Sequence, residues 1–326
     1  MRKKASSIVA IYNRTLSDQP WIPPGVELMA AENIWPTTRG QGTIVAVLDT
    51  GIDYRHPDLA GNVIGGRSFI PGEPDYLDLN GHGTHVAGII AANGKILGMA
   101  PYSKLLAVKV LNQNGFGSFI SIKQGLAWVR NWVGENGERV NAVNMSLGSS
   151  VPNNAMHQEI INLVNSGITV ICAAGNSGDG NPDTPEKDYP AYYPETIAVG
   201  AIDLQTGIAN FSNSNDRIDV VAPGVSTYST YLNNTYVELS GTSMASPHIA
   251  GAVALIISCY QKRFNENPTP EYIRDYLHTH AVDLGELGFD TLYGYGLFTF
   301  NTDGGKTIRV FLSRNGFGIN SDLTPS

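Results

Sequence analysis

The sequence predicts an α/β protein with a doubly wound, mostly parallel β-sheet flanked by helices. Two observations carry this prediction: apolar runs rich in β-branched residues recur along the chain, and helix-like segments separate several of them. Runs that are apolar on both faces suit a parallel sheet that is covered on both sides. The six runs cover residues 43–49, 105–111, 142–147, 168–174, 196–202 and 218–222.

Helices are predicted between and after these runs. Two segments carry apolar residues at helical spacing, first Ile122, Leu126, Val129 and Val133, then Ile160, Ile161, Leu163 and Val164. A long apolar helix is predicted from Thr242 towards Phe264. A later one begins after Thr269-Pro270-Glu271 and turns Ile273 and Leu277 inward, because a proline after a threonine is a frequent helix start.

Length and composition favour one main domain over residues 22–300, with an N-terminal extension (1–21) and a C-terminal tail (301–326). The net charge of -8, with no basic stripe, argues against a nucleic-acid partner. The apolar stretch 249–259 is too short to span a membrane. Cys172 and Cys259 fall in predicted buried elements and are expected to be reduced thiols.

Three segments supply an acid, a base and a nucleophile. Asp49 ends the first apolar run, His82 lies between two glycines, and Ser243 follows Gly241-Thr242. A serine hydroxyl becomes a good nucleophile when an imidazole takes its proton, and a buried carboxylate orients that imidazole. Singly, each residue has a structural explanation as a turn, a linker or a helix cap. Because carboxyl ends of parallel strands share one rim, their combination predicts a catalytic site.

The surroundings of these residues fit this chemistry. Gly81 and Gly83 are expected to keep side chains away from the imidazole of His82, at the start of a closely packed helix. Ser243 is predicted in the first turn of its helix, where free N–H groups favour an oxyanion. Pro247 costs least in such a first turn. Asn176, in a glycine-flanked turn, is either a second oxyanion donor or an ordinary turn residue.

A metal site is the weaker alternative for the histidines. His82 and His85 are three residues apart, but no third ligand accompanies them at a zinc-motif spacing. His248 lies on an apolar helix and is expected in the core. The sequence therefore favours nucleophilic catalysis over zinc chemistry.

Five motifs together resemble the subtilisin family of serine proteases over about residues 22–300. They are Asp49-Thr50-Gly51-Ile52-Asp53, residues 80–88, Asn144-Met145-Ser146-Leu147-Gly148, Ala173-Ala174-Gly175-Asn176 and residues 241–248. The order of acid, base and nucleophile is that of subtilisin and serves recognition only. The resemblance implies a serine endopeptidase in which Asn176 and the Ser243 N–H form the oxyanion hole. The alternatives are a catalytically silent binding protein of the same fold and a small-ligand-binding protein. The second lacks a phosphate-binding glycine loop after the first strand.

The resemblance also implies a cleft in which a protein or peptide substrate pairs as an added strand. The expected cleft residues are Gly115, Phe116, Gly117, Phe119, Ser146, Leu147, Gly148, Ala173 and Gly175. Asp188 aligns with the floor of the pocket for the residue before the cleaved bond. There it would favour lysine or arginine, and otherwise it is a solvated loop carboxylate.

Within the family the chain is most similar to the intracellular subtilisins of bacilli. The start Met1-Arg2-Lys3 without an export signal, the loop 134–138 and the stretch 172–203 carry this likeness. This likeness implies a cytoplasmic location and a homodimer. It also implies that the N-terminal extension lies across the active site until it is removed, with residues 8–12 as the blocking segment. The chain has Ala10-Ile11-Tyr12 where the family has a proline before the tyrosine.

Calcium is expected from the resemblance, with two candidate places. At the first, Asp58 matches a ligand, whereas Pro20 replaces a glutamine and the loop 93–96 is short and contains a lysine. The second would use the carbonyl groups of Ala191, Tyr193 and Thr196 with Asp219, and Arg217 replaces a common acid there. Calcium prefers six to eight oxygen ligands, so the first site is incomplete.

Overall fold

A computed structural model describes residues 19–301 of the chain. The predicted extension up to residue 18, including residues 8–12, and the predicted tail beyond residue 301 lie outside the described residues. The strands are β1 (Ile44–Asp49), β2 (Val63–Ser68), β3 (Lys104–Lys109), β4 (Ala142–Met145), β5 (Thr169–Ala173), β6 (Ile197–Ile202), β7 (Ile218–Pro223), β8 (Thr227–Tyr231), β9 (Thr235–Leu239), β10 (Ala281–Val282) and β11 (Leu297–Phe298). The α-helices are α1 (Pro24–Leu28), α2 (Pro57–Ala60), α3 (His82–Ala91), α4 (Phe119–Asn131), α5 (Asn154–Asn165), α6 (Thr242–Phe264) and α7 (Pro270–Thr279).

Nine strands form one sheet in the order β10-β11-β7-β6-β5-β4-β1-β3-β2, and β8 pairs with β9 in a separate hairpin. Within the nine-stranded sheet all neighbours are parallel except β10 and β11. After β3 the chain crosses to the other side of β1, so the winding direction reverses at β1. Ligands bind doubly wound sheets in the crevice at such a reversal, beyond the carboxyl ends of the strands. Asp49, the last residue of β1, lies there.

All six predicted runs are confirmed as strands, namely β1, β3, β4, β5, β6 and β7. The sequence analysis does not predict the other strands. β2 is partly exposed along its length and contains Gly65-Gly66, so it lacks the apolar signal of a buried strand. β10 and β11 have two residues each, which is too short for any periodicity.

Helices cover both faces of the sheet. α3, α6 and α7 pack with one face in the larger apolar cluster, and α4 and α5 pack with the other face. By length and composition α6 could cross a membrane, being longer than the apolar stretch that the sequence analysis considers. Yet 94% of its most apolar window is buried inside the fold, as expected of the central helix of this architecture.

The predicted helices are confirmed, with one boundary changed. α4 ends at Asn131, and Trp132 adopts an extended backbone, so Val133 leaves the helix and is 53% exposed instead of continuing the apolar stripe. α7 begins as predicted, with the side chain of Thr269 accepting a hydrogen bond from the Tyr272 N–H and with Ile273 and Leu277 buried. Cys172 and Cys259 are buried free thiols, and burial raises the pKa of both.

Candidate active site

Asp49 is fully buried at the carboxyl end of β1. Its Oδ1 accepts a hydrogen bond of 2.7 Å from the N–H of Thr50. The turn that follows is held by a buried cation, because Lys109 Nζ donates to the carbonyl of Thr50 (2.5 Å) and pairs with Glu73 (2.9 Å). The acid is therefore fixed by its strand and by its turn.

His82 is the first residue of α3 and faces Asp49. Its Nδ1 lies 2.8 Å from Oδ1 and 3.0 Å from Oδ2 of Asp49. An ionised carboxylate only accepts hydrogen bonds, so this contact assigns the proton to Nδ1 and leaves Nε2 free to act as a base. The side chain is 27% exposed, so that nitrogen remains reachable for a substrate.

The pKa of His82 is raised above its ordinary value. Burial is the largest single influence and lowers the pKa, but the charge of Asp49 and its hydrogen bond, together with the charge of Asp78, outweigh burial. The imidazolium is thus stabilised by two carboxylates. This is the electrostatic requirement for a group that must accept a proton during a reaction.

The glycines beside His82 are required by close packing. A Cβ at Gly83 would lie 2.1 Å from the carbonyl oxygen of Gly51 and 3.1 Å from the Cβ of Asp49. At Gly81, where φ is +104°, a Cβ would meet the ring of Tyr231 at 2.3 Å. Both glycines therefore permit close packing of α3 against neighbouring segments.

Asp78 is a site residue that the sequence analysis misses. This buried carboxylate accepts hydrogen bonds from the N–H groups of Asn80, Gly81 and Thr84 and from the Thr84 hydroxyl, at 2.7 to 3.0 Å. It therefore satisfies the start of α3, where backbone N–H groups lack partners within the helix. The available signal is an acid four residues before His82, in a turn that leads into a helix.

Ser243 lies in the first turn of α6, as predicted. Pro247 has no N–H to donate to the carbonyl of Ser243, and the hydroxyl of Ser146 donates to that carbonyl instead (2.9 Å). The Ser243 hydroxyl donates to the carbonyl of Ser146 at 3.3 Å. Across residues 19–301 no hydrogen bond joins Ser243 to His82. The structure therefore contains the hydrogen bond between Asp49 and His82, whereas the Ser243 hydroxyl bonds to Ser146. Such contacts are often long or misaligned before substrate binds.

Asn176 is exposed at the turn after β5 and is tied to the start of α6. Its Oδ1 accepts hydrogen bonds from the N–H of Thr242 (2.8 Å) and from the Thr242 hydroxyl (3.1 Å). Because the amide oxygen is engaged there, Nδ2 is left as the donor of this group, and within residues 19–301 it makes no hydrogen bond. The amide of Asn176 thus lies beside the first turn that carries Ser243.

A cleft of about 560 Å³ runs beside His82. Most of the predicted cleft residues line it, namely Gly115, Phe116, Gly117, Phe119, Ser146, Leu147 and Gly148. Ala173 and Gly175 do not; they are buried at the end of β5 and just beyond it. Met156 and Tyr189, which the sequence analysis does not name, also line the cleft. Asp188 is half-buried against Gly148 and Gly175.

The other two histidines considered for metal binding are structural. Nε2 of His85 contacts the carbonyls of Thr227 (3.0 Å) and Val237 (3.1 Å), which ties α3 to the hairpin of β8 and β9. Burial lowers the pKa of His85 to about 3 and that of the core residue His248 to about 4. Among the described residues no cluster of His, Cys, Asp or Glu could hold a metal ion.

The first expected calcium place does not fit the ion. Both carboxylate oxygens of Asp58 accept backbone hydrogen bonds of 2.9 Å, Oδ1 from Lys95 and Oδ2 from Ile96. The carbonyl of Lys95 accepts a further hydrogen bond from the N–H of Trp21. Asp58 thus closes the short loop 93–96 directly, and its oxygens are already used.

The second expected place is also occupied by protein donors. Arg274 donates to the carbonyl of Thr196 (2.6 Å), and His278 Nε2 lies 2.8 Å from Oδ1 of Asp219. The hydroxyl of Thr196 contacts the carbonyls of Ala191 (3.0 Å) and Tyr193 (2.9 Å). Arg217, Arg274 and His278 line the adjoining pocket. Two arginines and a histidine make this a poor environment for a divalent cation.

A buried carboxylate that orients a histidine, beside a serine at a helix start on the carboxyl edge of a doubly wound sheet, defines a serine hydrolase. The comparison with known proteins specifies which one. The chain belongs to the subtilase family, whose sequence pattern matches residues 40–296. It is a subtilisin-type serine endopeptidase, and nothing in the described residues favours a catalytically silent form.

Several named relatives cover most of the chain. An intracellular serine protease of Paenibacillus polymyxa is 44% identical over 272 residues, which are 81% of each protein. The major intracellular serine protease of Bacillus subtilis strain 168 is 44% identical over 265 residues, 78% of this chain and 81% of the relative. Subtilisin Savinase of Lederbergia lenta is 46% identical over 281 residues, 85% of this chain and 96% of the relative.

Proposed function

We propose that this endopeptidase cleaves peptide bonds with Ser243 as nucleophile, His82 as general base and then acid, and Asp49 as the group that orients His82. The observation that carries the proposal is the contact of 2.8 Å between the fully buried Asp49 carboxylate and Nδ1 of His82. That contact leaves Nε2 of His82, a residue that lines the cleft, to act as the base. The proposal requires the Ser243 hydroxyl to leave the carbonyl of Ser146 and to donate to this nitrogen when substrate is bound.

In the first half of the reaction the Ser243 oxygen attacks the carbonyl carbon of the substrate, and its proton passes to Nε2 of His82. Asp49 stabilises the resulting imidazolium. The negative charge on the former carbonyl oxygen would be bound by Nδ2 of Asn176 and the backbone N–H of Ser243. The tetrahedral intermediate then collapses, and His82 gives its proton to the leaving amine nitrogen.

In the second half water attacks the acyl-enzyme carbonyl carbon while His82 accepts a proton from it. The Ser243 oxygen leaves, takes that proton back, and the peptide acid departs. The substrate chain would lie along residues 115–117 and 146–148, where glycine at both segments lets two backbones approach and pair. Phe116, Phe119 and Leu147 give this cleft apolar walls for substrate side chains.

Replacement of the nucleophile tests the proposed roles. Ser243→Ala should lower kcat on a peptide p-nitroanilide by roughly the 10⁶-fold that triad removal costs subtilisin, and should abolish labelling by a fluorophosphonate. Ser246→Ala is the matched control, since Ser246 is a buried serine on the same helix that bonds to Ser146. Labelling that persists in Ser243→Ala would reject the assignment.

We further propose that the protein works in the cytoplasm, as the names of its intracellular relatives suggest, and that it forms a homodimer. Cell fractionation and light scattering test these two points. Structural calcium remains a proposal that rests on the family resemblance alone, because neither expected ligand set fits the ion. A chelator that leaves the Tm of the Ser243→Ala protein unchanged would end it.

A further inference from the structure

Asp188 lies between Gly148, which lines the cleft, and the buried Gly175, and we call the space between these two segments the crevice. A Cβ at Gly175 would be 2.5 Å from Oδ2 of Asp188, and a Cβ at Gly148 would be 3.5 Å from its Cβ. Two backbone hydrogen bonds between Ser149 and Tyr189, of 2.8 and 2.9 Å, hold this segment against the 146–149 segment. The carboxylate therefore stands between two walls that carry no side chain at the point of contact.

The position of this crevice relates it to the reacting bond. The carbonyl that Ser243 attacks must direct its oxygen to Asn176, which immediately follows Gly175. The residue that supplies this carbonyl then lies between Gly175 and the 146–148 segment. Its side chain would then point towards Gly148 and the Asp188 carboxylate behind it.

This carboxylate lacks a cationic partner. Within residues 19–301 it forms no ion pair, and its sequence neighbour Lys187 lies over the ring of Tyr192 instead, at 4.6 Å. Burial raises the pKa of Asp188 more than the nearby amide of Asn213 lowers it. Nδ2 of Asn213 is itself buried without reaching good hydrogen-bond geometry to any acceptor. The local environment stabilises the carboxylate poorly.

A second carboxylate, that of Asp219 near the amino end of β7, shows the contrast. Asp219 accepts the N–H of Ala198 (2.8 Å), pairs with His278 and lies 3.5 Å from Arg274. Its charge is compensated within the protein, whereas that of Asp188 is left for a ligand. The half-buried position of Asp188 also suits an ion pair with a bound cation. Both charges would keep part of their hydration, and their attraction would be stronger than in bulk water because the dielectric constant is lower there.

We propose that Asp188 selects substrates with arginine or lysine immediately before the cleaved bond, by a charge-assisted hydrogen bond at the end of this crevice. This inference rests on the proposed roles of Ser243 and Asn176. Gly148 carries no side chain between the cleft and Asp188, and Asp188 supplies the charge opposite to that of lysine or arginine. An apolar side chain could enter the same crevice but would leave the carboxylate unpaired.

The test compares two peptide substrates that differ only in arginine or leucine before the scissile bond. Asp188→Asn should lower the ratio of kcat/KM for arginine over leucine at least tenfold, mainly by raising KM for the arginine peptide. Asp183→Asn removes the same charge from an exposed position of the same loop and should leave the ratio unchanged. Ratios for Asp188→Asn and the unsubstituted protein within twofold would overturn the proposal.

A measurement on the unsubstituted protein covers the case in which Asp188→Asn fails to fold. Benzamidine, a cation, should inhibit leucine-peptide cleavage at least tenfold more strongly than its neutral isostere benzamide. Equal inhibition would overturn the proposal. The proposed function has its own readout, which is cleavage of the leucine peptide by the unsubstituted protein and its loss in Ser243→Ala. This result can hold even if the arginine preference is absent, so the two proposals can fail independently.

Discussion

The two halves of the active site are held by different forces. The acid–base half is a set of charges, in which Asp49 and Asp78 are buried carboxylates that bind His82 and the start of α3. The nucleophile half is a set of neutral hydrogen bonds, in which Ser146 and Asn176 bind the first turn of α6 around Ser243. The base is fixed before substrate arrives, and the nucleophile is held in an alternative hydrogen bond.

This difference has a physical reason. An imidazole must keep one tautomer and one orientation, and buried carboxylates enforce both at a cost in desolvation that their hydrogen bonds offset. A serine side chain has a single heavy-atom torsion, so its hydroxyl can exchange one hydrogen-bond partner for another by rotation. Charge is therefore concentrated where orientation matters, and neutral donors are placed where the oxyanion will develop.

The largest expected effect comes from breaking the charged half at its centre. Asp49→Asn keeps the size of the side chain but stabilises the wrong tautomer of His82, so kcat on a peptide p-nitroanilide should fall by about 10⁴-fold. The fold should persist, because the β1 backbone pairs are unchanged. A loss below tenfold, with an unchanged circular dichroism spectrum, would contradict the role of Asp49.

The second largest loss of activity is expected from a substitution in the nucleophile half. Asn176→Ala should lower kcat by about 10²- to 10³-fold, the size that removal of one oxyanion donor has in subtilisin, with KM little changed. Thr242→Val keeps the amide but removes the hydroxyl that holds its oxygen, and should cost about tenfold or less. If Thr242→Val equalled Asn176→Ala, the amide would act through the helix start and not on the oxyanion.

Asp78 connects the stability of α3 with the basicity of His82. Asp78→Asn removes an acceptor shared by four donors and should lower the free energy of unfolding by about 2 kcal/mol, measured in urea. Since the charge of Asp78 raises the pKa of His82, the acid limb of kcat/KM should also move to lower pH. Asp75→Asn, an exposed acid of the same loop, should change neither quantity. An unmoved acid limb would show that Asp78 has a structural role alone.

The last prediction concerns the pH dependence of stability and two buried histidines, His85 on α3 and His248 on α6. The pKa values of His85 and His248 are lowered to about 3 and about 4, so the unfolded chain binds more protons below pH 6.5. Stability should therefore fall with decreasing pH, by about 1.2 kcal/mol per histidine between pH 6 and 5. The raised pKa of His82 acts in the opposite direction, since it favours the folded state as pH falls. Urea unfolding of the Ser243→Ala protein measures this, and a flat profile would contradict it.

The fold and the triad could be predicted because each depends on local signals. Apolar runs such as 168–174 specify a covered parallel strand without knowledge of their neighbours, and Asp49, His82 and Ser243 lie in short motifs of fixed order. The residues that were missed act over distance. Lys109 reads as part of an apolar strand, although its ammonium pairs with Glu73 and fixes the turn after Asp49.

The sequence by itself determined the fold class, the family and the chemical groups that carry the reaction, because residue type and spacing encode secondary structure and reactivity. Only the tertiary structure decided which of several carboxylates have their negative charge balanced by donors of the protein. Asp58 and Asp219 are bound by backbone, arginine and histidine donors, whereas Asp188 has no cationic partner among residues 19–301. Electrostatic compensation depends on distances of a few ångströms between segments far apart in the chain, and the spacing of residues along a sequence does not contain those distances.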